Sequence, residues 1–212
     1  MGAARLPMAR VPDIGFWKLF GSGTGEGFTP IPNTAVYAIL ATWPNESIAR
    51  NRLEQTRIFR RYASRASETW HLFLAATSVR GVWSGVQPFA VSATPQPGPL
   101  AAMTRATIKP RILPKFWGRV PAISDVIGTD PNVAFKIGIG EVPWLHQVTF
   151  SIWPNTEAMA AFARADGPHA RAIQAVRDGA WFHEELYARF QILGEAGTWE
   201  GQSPLNRLKR PN

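Results

Sequence analysis

The chain contains itself twice, and this constrains the fold more than any other feature. Arg-Val-Pro opens residues 10–45 and again residues 119–155, and Trp-Pro-Asn closes both, at Trp43 and Trp153. In between, a lysine leads into Gly-x-Gly-Glu: Lys18 with Gly23, Gly25 and Glu26, and Lys136 with Gly138, Gly140 and Glu141. The offset stays near 110 residues. A duplicated unit predicts two similar halves related by a pseudo-twofold, with a cleft between them as the natural place for a ligand. Residues present in one copy only are then the better functional candidates, because shared residues are explained by the fold.

The second copy is the easier to read. Residues 100–108, 133–139, 145–153 and 186–193 have the run length and composition of strands. Helices are expected from Pro114 to about Ile127, after Pro154-Asn155, and from His169 to about Arg177, with Gly167-Pro168 as a break. That order is β-α-β-β-α-β, a ferredoxin-like unit. In the first copy, residues 3–11 match its first helix, 16–20 and 34–43 its middle strands, 46–66 a long helix, and 72–82 its last strand. The first strand of this copy is missing. The expected fold is therefore α+β: duplicated ferredoxin-like units in one chain, arranged like a dimeric α+β barrel. The halves are 1–91 and 100–212, joined by the Pro-rich linker 92–99, and their sheets are expected to pack face to face.

Composition removes several chemistries. There is no Cys in 212 residues, so disulfides, thiolate nucleophiles, Cys-ligated zinc and Cys-ligated heme or iron–sulfur centres are excluded. The net charge is +8 and unevenly placed: residues 1–106 hold 11 basic and 5 acidic side chains. A basic face suits an acidic protein, an anionic membrane or nucleic acid. Nucleic acid is the weakest of these, because no recognition motif is present and the cations are not interleaved with aromatics. Arg50, Arg57, Arg61 and Arg65 share a side of the expected 46–66 helix, either as a solvated face or as a docking stripe. Neither a signal peptide nor an apolar run of spanning length is present.

Candidate sites are few. The run Gly21 to Gly27 matches neither a phosphate loop nor a dinucleotide fingerprint, and reads as a loop whose glycines permit close approach or positive φ. His71 and His146 stand at strand starts and read as structural or surface residues. His183 and Glu185 would share one face of a strand, a partial match to a two-His-one-carboxylate iron site. Glu184-Glu185 reads as a solvated turn. His169 differs from these: it follows a helix break, belongs to one copy only, and heads an apolar stripe with Ile173 and Val176. It reads either as a core or capping histidine or as an axial ligand to heme iron.

Three segments carry a family resemblance: residues 16–44, residues 106–117 (Ala-Thr-Ile-Lys-Pro-Arg-Ile-Leu-Pro-Lys-Phe-Trp) and residues 169–190. Together they resemble the spheroidene monooxygenase family, the acyclic carotenoid 2-ketolases, over nearly the whole chain. The resemblance implies a b-type heme, use of O2, electrons from a ferredoxin, and oxidation of acyclic carotenoids at C-2 in phototrophic bacteria. With a heme so implied, His169, single-copy and at the head of the stripe with Ile173 and Val176, is the expected iron ligand, and Arg171 or Arg177 beside that stripe is expected to pair with the propionates. The resemblance also implies a cytoplasmic location with peripheral contact at the photosynthetic membrane. Members of the family usually carry a strand ahead of the segment that begins at Met1, so either a late start or a truncated N-terminus is expected here. Two other readings stay open at this stage: a heme-dependent lyase or dehydratase, and a non-catalytic heme- or lipid-binding module.

Overall fold

The computed structural model of the protein describes residues 2–27, 29–118, 132–164 and 181–209. The expected continuation of the first helix of copy two to Ile127 and the expected helix 169–177 lie outside these residues. Among the described residues there are seven strands: β1 (Trp17–Gly23), β2 (Pro32–Ala41), β3 (Trp70–Gly81), β4 (Leu100–Ile108), β5 (Phe135–Gly140), β6 (His146–Trp153) and β7 (Phe182–Gly197). The helices are α1 (Arg5–Ala9), α2 (Glu46–Gln55), α3 (Arg57–Ala63), α4 (Leu113–Trp117) and α5 (Thr156–Arg164). Short 3-10 turns precede α1 and α4.

Trp-Pro-Asn does the same work in both copies, which explains its repetition. Asn45 caps α2 by accepting from the Ile48 amide at 2.9 Å, and Asn155 caps α5 by accepting from the Ala158 amide at 2.7 Å. Trp153 ends β6 and packs on Phe162, 5.2 Å between ring centroids; Trp43 follows β2 and packs on Phe59 at 6.2 Å. The expected 46–66 helix is in fact two. Thr56 takes an extended conformation (φ −83°, ψ 130°) between α2 and α3. Ala49 is buried on α2, and Ile58 and Phe59 on α3.

Strands β4 to β7 form an antiparallel sheet in the order β5-β6-β4-β7, the ferredoxin-like arrangement. The first copy joins this sheet at both ends, through β1 on β5 and β3 on β7, giving β2-β1-β5-β6-β4-β7-β3. The two copies therefore share one continuous sheet rather than packing two separate ones. The sheet curls on itself: Trp70 at the start of β3 touches Phe135 of β5 at 4.8 Å, although the two strands are far apart in the order. In copy two, β4 lies between β6 and β7. The equivalent place, between β2 and β3, is filled by none of the described strands.

Both inter-copy seams have twofold character. In β3·β7, Gly81 pairs with Leu186 and Trp70 with Gly197. Gly81 (φ 93°) and Gly197 (φ 82°) press against the carbonyls of Glu185 and Thr69, where a Cβ would collide with backbone. After each of these glycines comes a tryptophan turn, Trp83 to Val86 and Trp199 to Gln202, closed by paired backbone bonds.

Two apolar cores follow. The barrel interior holds Phe20, Trp83, Ala101, Met103, Ile137, Val148, Ile152, Leu186 and Phe190. A second core holds Met8, Ile58 and Phe59 against Trp17, Leu19 and Ile39, placing α1 and α3 on the outer face of β1 and β2. The Pro-rich segment begins tied to β3, with the amides of Ser92 and Ala93 both donating to the Ala76 carbonyl.

Candidate functional site

Alternation along the strands decides which side chains enter the barrel. On β4, Arg105 shares the face of Ala101 and Met103; on β6, His146 shares that of Val148 and Ile152; on β7, Glu184 shares that of Leu186 and Ala188. Lys18 on β1 aligns with Phe20, and Glu141, just past β5, follows Ile137 and Ile139. With Trp83 from the turn after β3, these residues form a polar ring to which β1, β4 and β5–β7 or the residues just beyond them contribute.

The ring is densely paired. Glu141 accepts from Trp83 Nε1 at 2.6 Å and pairs with Lys18 Nζ at 2.9 Å. Arg105, 2% exposed, bonds Glu184 through Nη1 and stands 5.5 Å from the Trp83 ring centroid. The Ser84 and Gly85 amides each donate to Glu184 at 2.8 Å, and Lys18 donates to Ser84 Oγ at 2.9 Å. Two cations and two carboxylates balance. That matters because buried ions cost several kcal/mol each unless paired and hydrogen-bonded. Among the described residues, two buried polar atoms lack a hydrogen bond, Arg105 Nε and His146 Nδ1. They face the same carboxylate oxygen, Glu141 Oε1, at 3.9 and 4.0 Å.

Burial holds the His146 pKa below its ordinary value; Arg105 and Lys18 add to this and Glu141 opposes it. The imidazole is thus neutral near neutral pH. Burial pushes the Glu184 carboxyl up, but the Gly85 and Ser84 amides and Arg105 outweigh it, so its pKa is lowered. The ring can accordingly hold a fixed arrangement of charge beside one neutral, proton-accepting imidazole.

His169, Ile173, Val176, Arg171 and Arg177 all lie outside the described residues. Among the described residues, no group of three or more His, Asp and Glu side chains could hold a metal ion. His183 and Glu185 do share the outer face of β7, but both are exposed and Glu185 accepts from Tyr187 Oη at 3.1 Å. Glu184 is no solvated turn: it sits on β7 and faces inward. His71 is half-buried in β3, with its pKa lowered by burial. A surface depression of about 580 Å³ between Ala63 and Gly201 holds no histidine. The described residues do not on their own form a heme cradle. The glycine run is a loop only in part: Gly21 to Gly23 end β1, and the loop follows, with Gly25 and Gly27 at positive φ (63° and 91°). Arg50 departs from the expected stripe: it pairs with Glu46 at 2.6 Å and stacks 3.9 Å over Phe73, leaving Arg57, Arg61 and Arg65 exposed.

The polar ring escaped the sequence reading except for one signal, the lysine followed by Gly-x-Gly-Glu in each copy. The lysine of each copy pairs with the glutamate of the other: Lys18 with Glu141, and Lys136 with Glu26. They do so on opposite faces, because Lys18 aligns with Phe20 inside, whereas Lys136 alternates with Phe135 and Ile137.

Fold and site together define a duplicated ferredoxin-like α+β barrel with a paired-charge ring in its interior. No family model matches the chain. It is 52% identical over 207 residues to the spheroidene monooxygenase of Cereibacter sphaeroides, covering 97% of this chain and 64% of that protein. It is 50% identical to that of Rhodobacter capsulatus (95% of this chain, 85% of the relative) and 32% identical to that of Rubrivivax gelatinosus (94% and 77%). The chain belongs to the spheroidene monooxygenase family. It spans about two thirds of the length of the Cereibacter relative, 64%. Among solved structures, a Fusobacterium nucleatum protein provisionally described as a monooxygenase matches at TM-score 0.46 and 9% identity, covering 92% of this chain and 82% of that one. An anthrone oxidase-like protein matches at TM-score 0.38 and 11% identity (95% and 88%). Both likenesses are loose and carry no functional weight.

Proposed function

We propose that the protein is a carotenoid monooxygenase that hydroxylates and then ketolates an acyclic, spheroidene-like carotenoid at C-2. The observation that carries this reading is its 50% identity with the Rhodobacter capsulatus spheroidene monooxygenase across 95% of the chain. Each turnover consumes O2, two electrons and two protons, converts one C–H bond to C–OH, and releases one water. A second insertion at the same carbon yields a geminal diol, which loses water to become the ketone.

The electrons in this proposal come from a reduced ferredoxin, as the family resemblance implies; with no cysteine, the chain has no iron–sulfur centre of the all-cysteine type. A b-type heme is the oxygen-handling group in this proposal, with His169 as its ligand and Arg171 and Arg177 toward its propionates. Support for it comes from the family resemblance and from the single-copy position of His169. The contribution of the described residues is the ring: Arg105, Lys18, Glu141 and Glu184 fix the electrostatics of the barrel interior, and neutral His146 can take a proton there.

The test is turnover of spheroidene by the purified protein with ferredoxin, its reductase and ¹⁸O2, alongside absorption spectra before and after dithionite and CO. Label at C-2 and a reduced-CO Soret shift are expected, and His169→Ala should lose the Soret band while His183→Ala keeps it. Product formation with no electron donor would overturn the monooxygenase reading in favour of a lyase.

A further inference from the structure

The segment Val142–Leu145 joins two ring residues, Glu141 and His146, and its conformation is unusual. Trp144 adopts φ 65°, a left-handed backbone that bulky residues avoid, and its side chain is 52% exposed. Exposed apolar residues gather around it. Val142 and Pro143 flank it, and Trp144 Nε1 donates to the Pro30 carbonyl at 3.0 Å, bringing in Pro30 and Ile31, the latter 63% exposed. From α4, Trp117 Nε1 donates to the Trp144 carbonyl at 3.2 Å. Three separate chain segments are thus stitched into one apolar patch.

Three features select the occupant. Both indole N–H groups are satisfied by backbone carbonyls, so the Trp144 ring can leave water without abandoning a hydrogen bond. The segment that carries Trp117 also carries exposed cations: Arg111 and Lys115 are exposed, and Lys115 lies 5.1 Å from the Trp181 ring centroid. The chain as a whole is at +8, and no helix among the described residues is long and apolar enough to cross a membrane. Tryptophan, isoleucine and proline beside lysine and arginine are the chemistry of an interfacial anchor on an anionic bilayer.

We propose that the patch formed by Ile31, Val142, Trp144 and Trp117, with Arg111 and Lys115 on the segment that carries Trp117, docks the protein on an anionic lipid surface. The ring-bearing end of β5 and β6 then faces the phase in which a polyene substrate dissolves. The orientation rests on the carotenoid reading above; the docking itself does not.

The experiment is flotation with extruded vesicles of pure phosphatidylcholine and of equimolar phosphatidylcholine and phosphatidylglycerol, with no substrate present. Wild-type protein should float with the mixed vesicles. The Ile31→Ser/Trp144→Ser variant should bind them at least about tenfold more weakly. Arg111→Gln/Lys115→Gln should lose the preference for the mixed vesicles and the salt sensitivity. Ile31→Ser alone, at an exposed loop position, keeps the test open if the double variant does not fold. Undiminished flotation of Ile31→Ser and the double variant, or no flotation of the wild type, overturns docking. Self-association of the wild type in the ultracentrifuge, abolished in these variants and without flotation, would assign the patch to a second copy and overturn it too. Turnover of substrate held in detergent micelles separates the two readings. Its persistence without vesicle binding removes docking and leaves the oxygenase; its absence with vesicle binding intact does the reverse.

Discussion

Glu68 and Glu184 are counterparts, each closing the turn of the opposite copy. Glu184 accepts from the amides of Ser84 and Gly85, and Glu68 from those of Glu200 and Gly201, all at 2.7–2.8 Å. Ser84 and Glu200 even share a left-handed φ, 55° and 54°. Glu68 adds a hydroxyl, accepting from Thr198 Oγ1 at 2.6 Å, whereas Glu184 has acquired a cation, Arg105, which comes from β4; the first copy has no described strand in that place. The duplication is intact in its turns and has diverged inside the barrel.

Arg105→Met should therefore be severe. It leaves the inward carboxylate of Glu184 without its buried cation and removes one that faces Glu141, a loss of about 3–5 kcal/mol by analogy with broken buried pairs. Urea denaturation measures it. Glu68→Gln, at an exposed counterpart, should shift the midpoint far less than Glu184→Gln.

Acid should weaken the fold through His146. Its folded pKa is lowered, so the unfolded chain binds more protons once pH drops below the ordinary value of about 6.5, and stability falls with it. Glu184 acts in the same sense lower down: its stabilisation is present above the ordinary carboxylate range and is lost as pH falls through the lowered folded value. Replacing His146 with Asn should flatten the upper part of the stability–pH curve and leave the lower part in place. An unchanged slope around pH 6 would remove His146 from this account.

The seam glycines give a symmetric pair of tests. Gly81→Ala and Gly197→Ala each combine a positive φ with a carbonyl in the space a Cβ needs, and each should cost more than the ~1–3 kcal/mol of backbone strain alone. Gly85→Ala also has a positive φ (76°) but meets open space, so it should cost only the strain. Thermal midpoints in that rank order check the register of β3 on β7.

Electron delivery should depend on α3. Arg57 and Arg61 are exposed, whereas Arg50 is engaged with Glu46 and Phe73. With an acidic ferredoxin as donor, Arg57→Glu/Arg61→Glu should slow reduction about tenfold or more at low salt, while Arg50→Gln should act mainly on stability. The difference should shrink as the Debye length falls from ~10 Å at 0.1 M to ~3 Å at 1 M. Stopped-flow reduction measures it, and a salt-independent rate would exclude steering by this face.

Much of the fold could be read from local signals. Residues 100–108 form a strand over the expected span, and Asn45 and Asn155 cap helices because a side-chain acceptor before a helix is a property of a few neighbouring residues. The duplication was legible because the repeated letters build the same turn and cap twice. What tertiary structure alone decided were relationships over long separations. Arg105 meets Glu184 across 79 residues and Trp83 meets Glu141 across 58. Lys18 turned inward and Lys136 outward although both stand in the same motif, because side-chain facing follows each strand's register against its neighbour. Thr56 broke a pattern that reads as one helix, taking an extended conformation between α2 and α3. A charged residue in a strand looks solvated in the sequence; only closure of the sheet, with opposite charges arriving from distant strands, makes the inside of a barrel a place where Arg105 is stable.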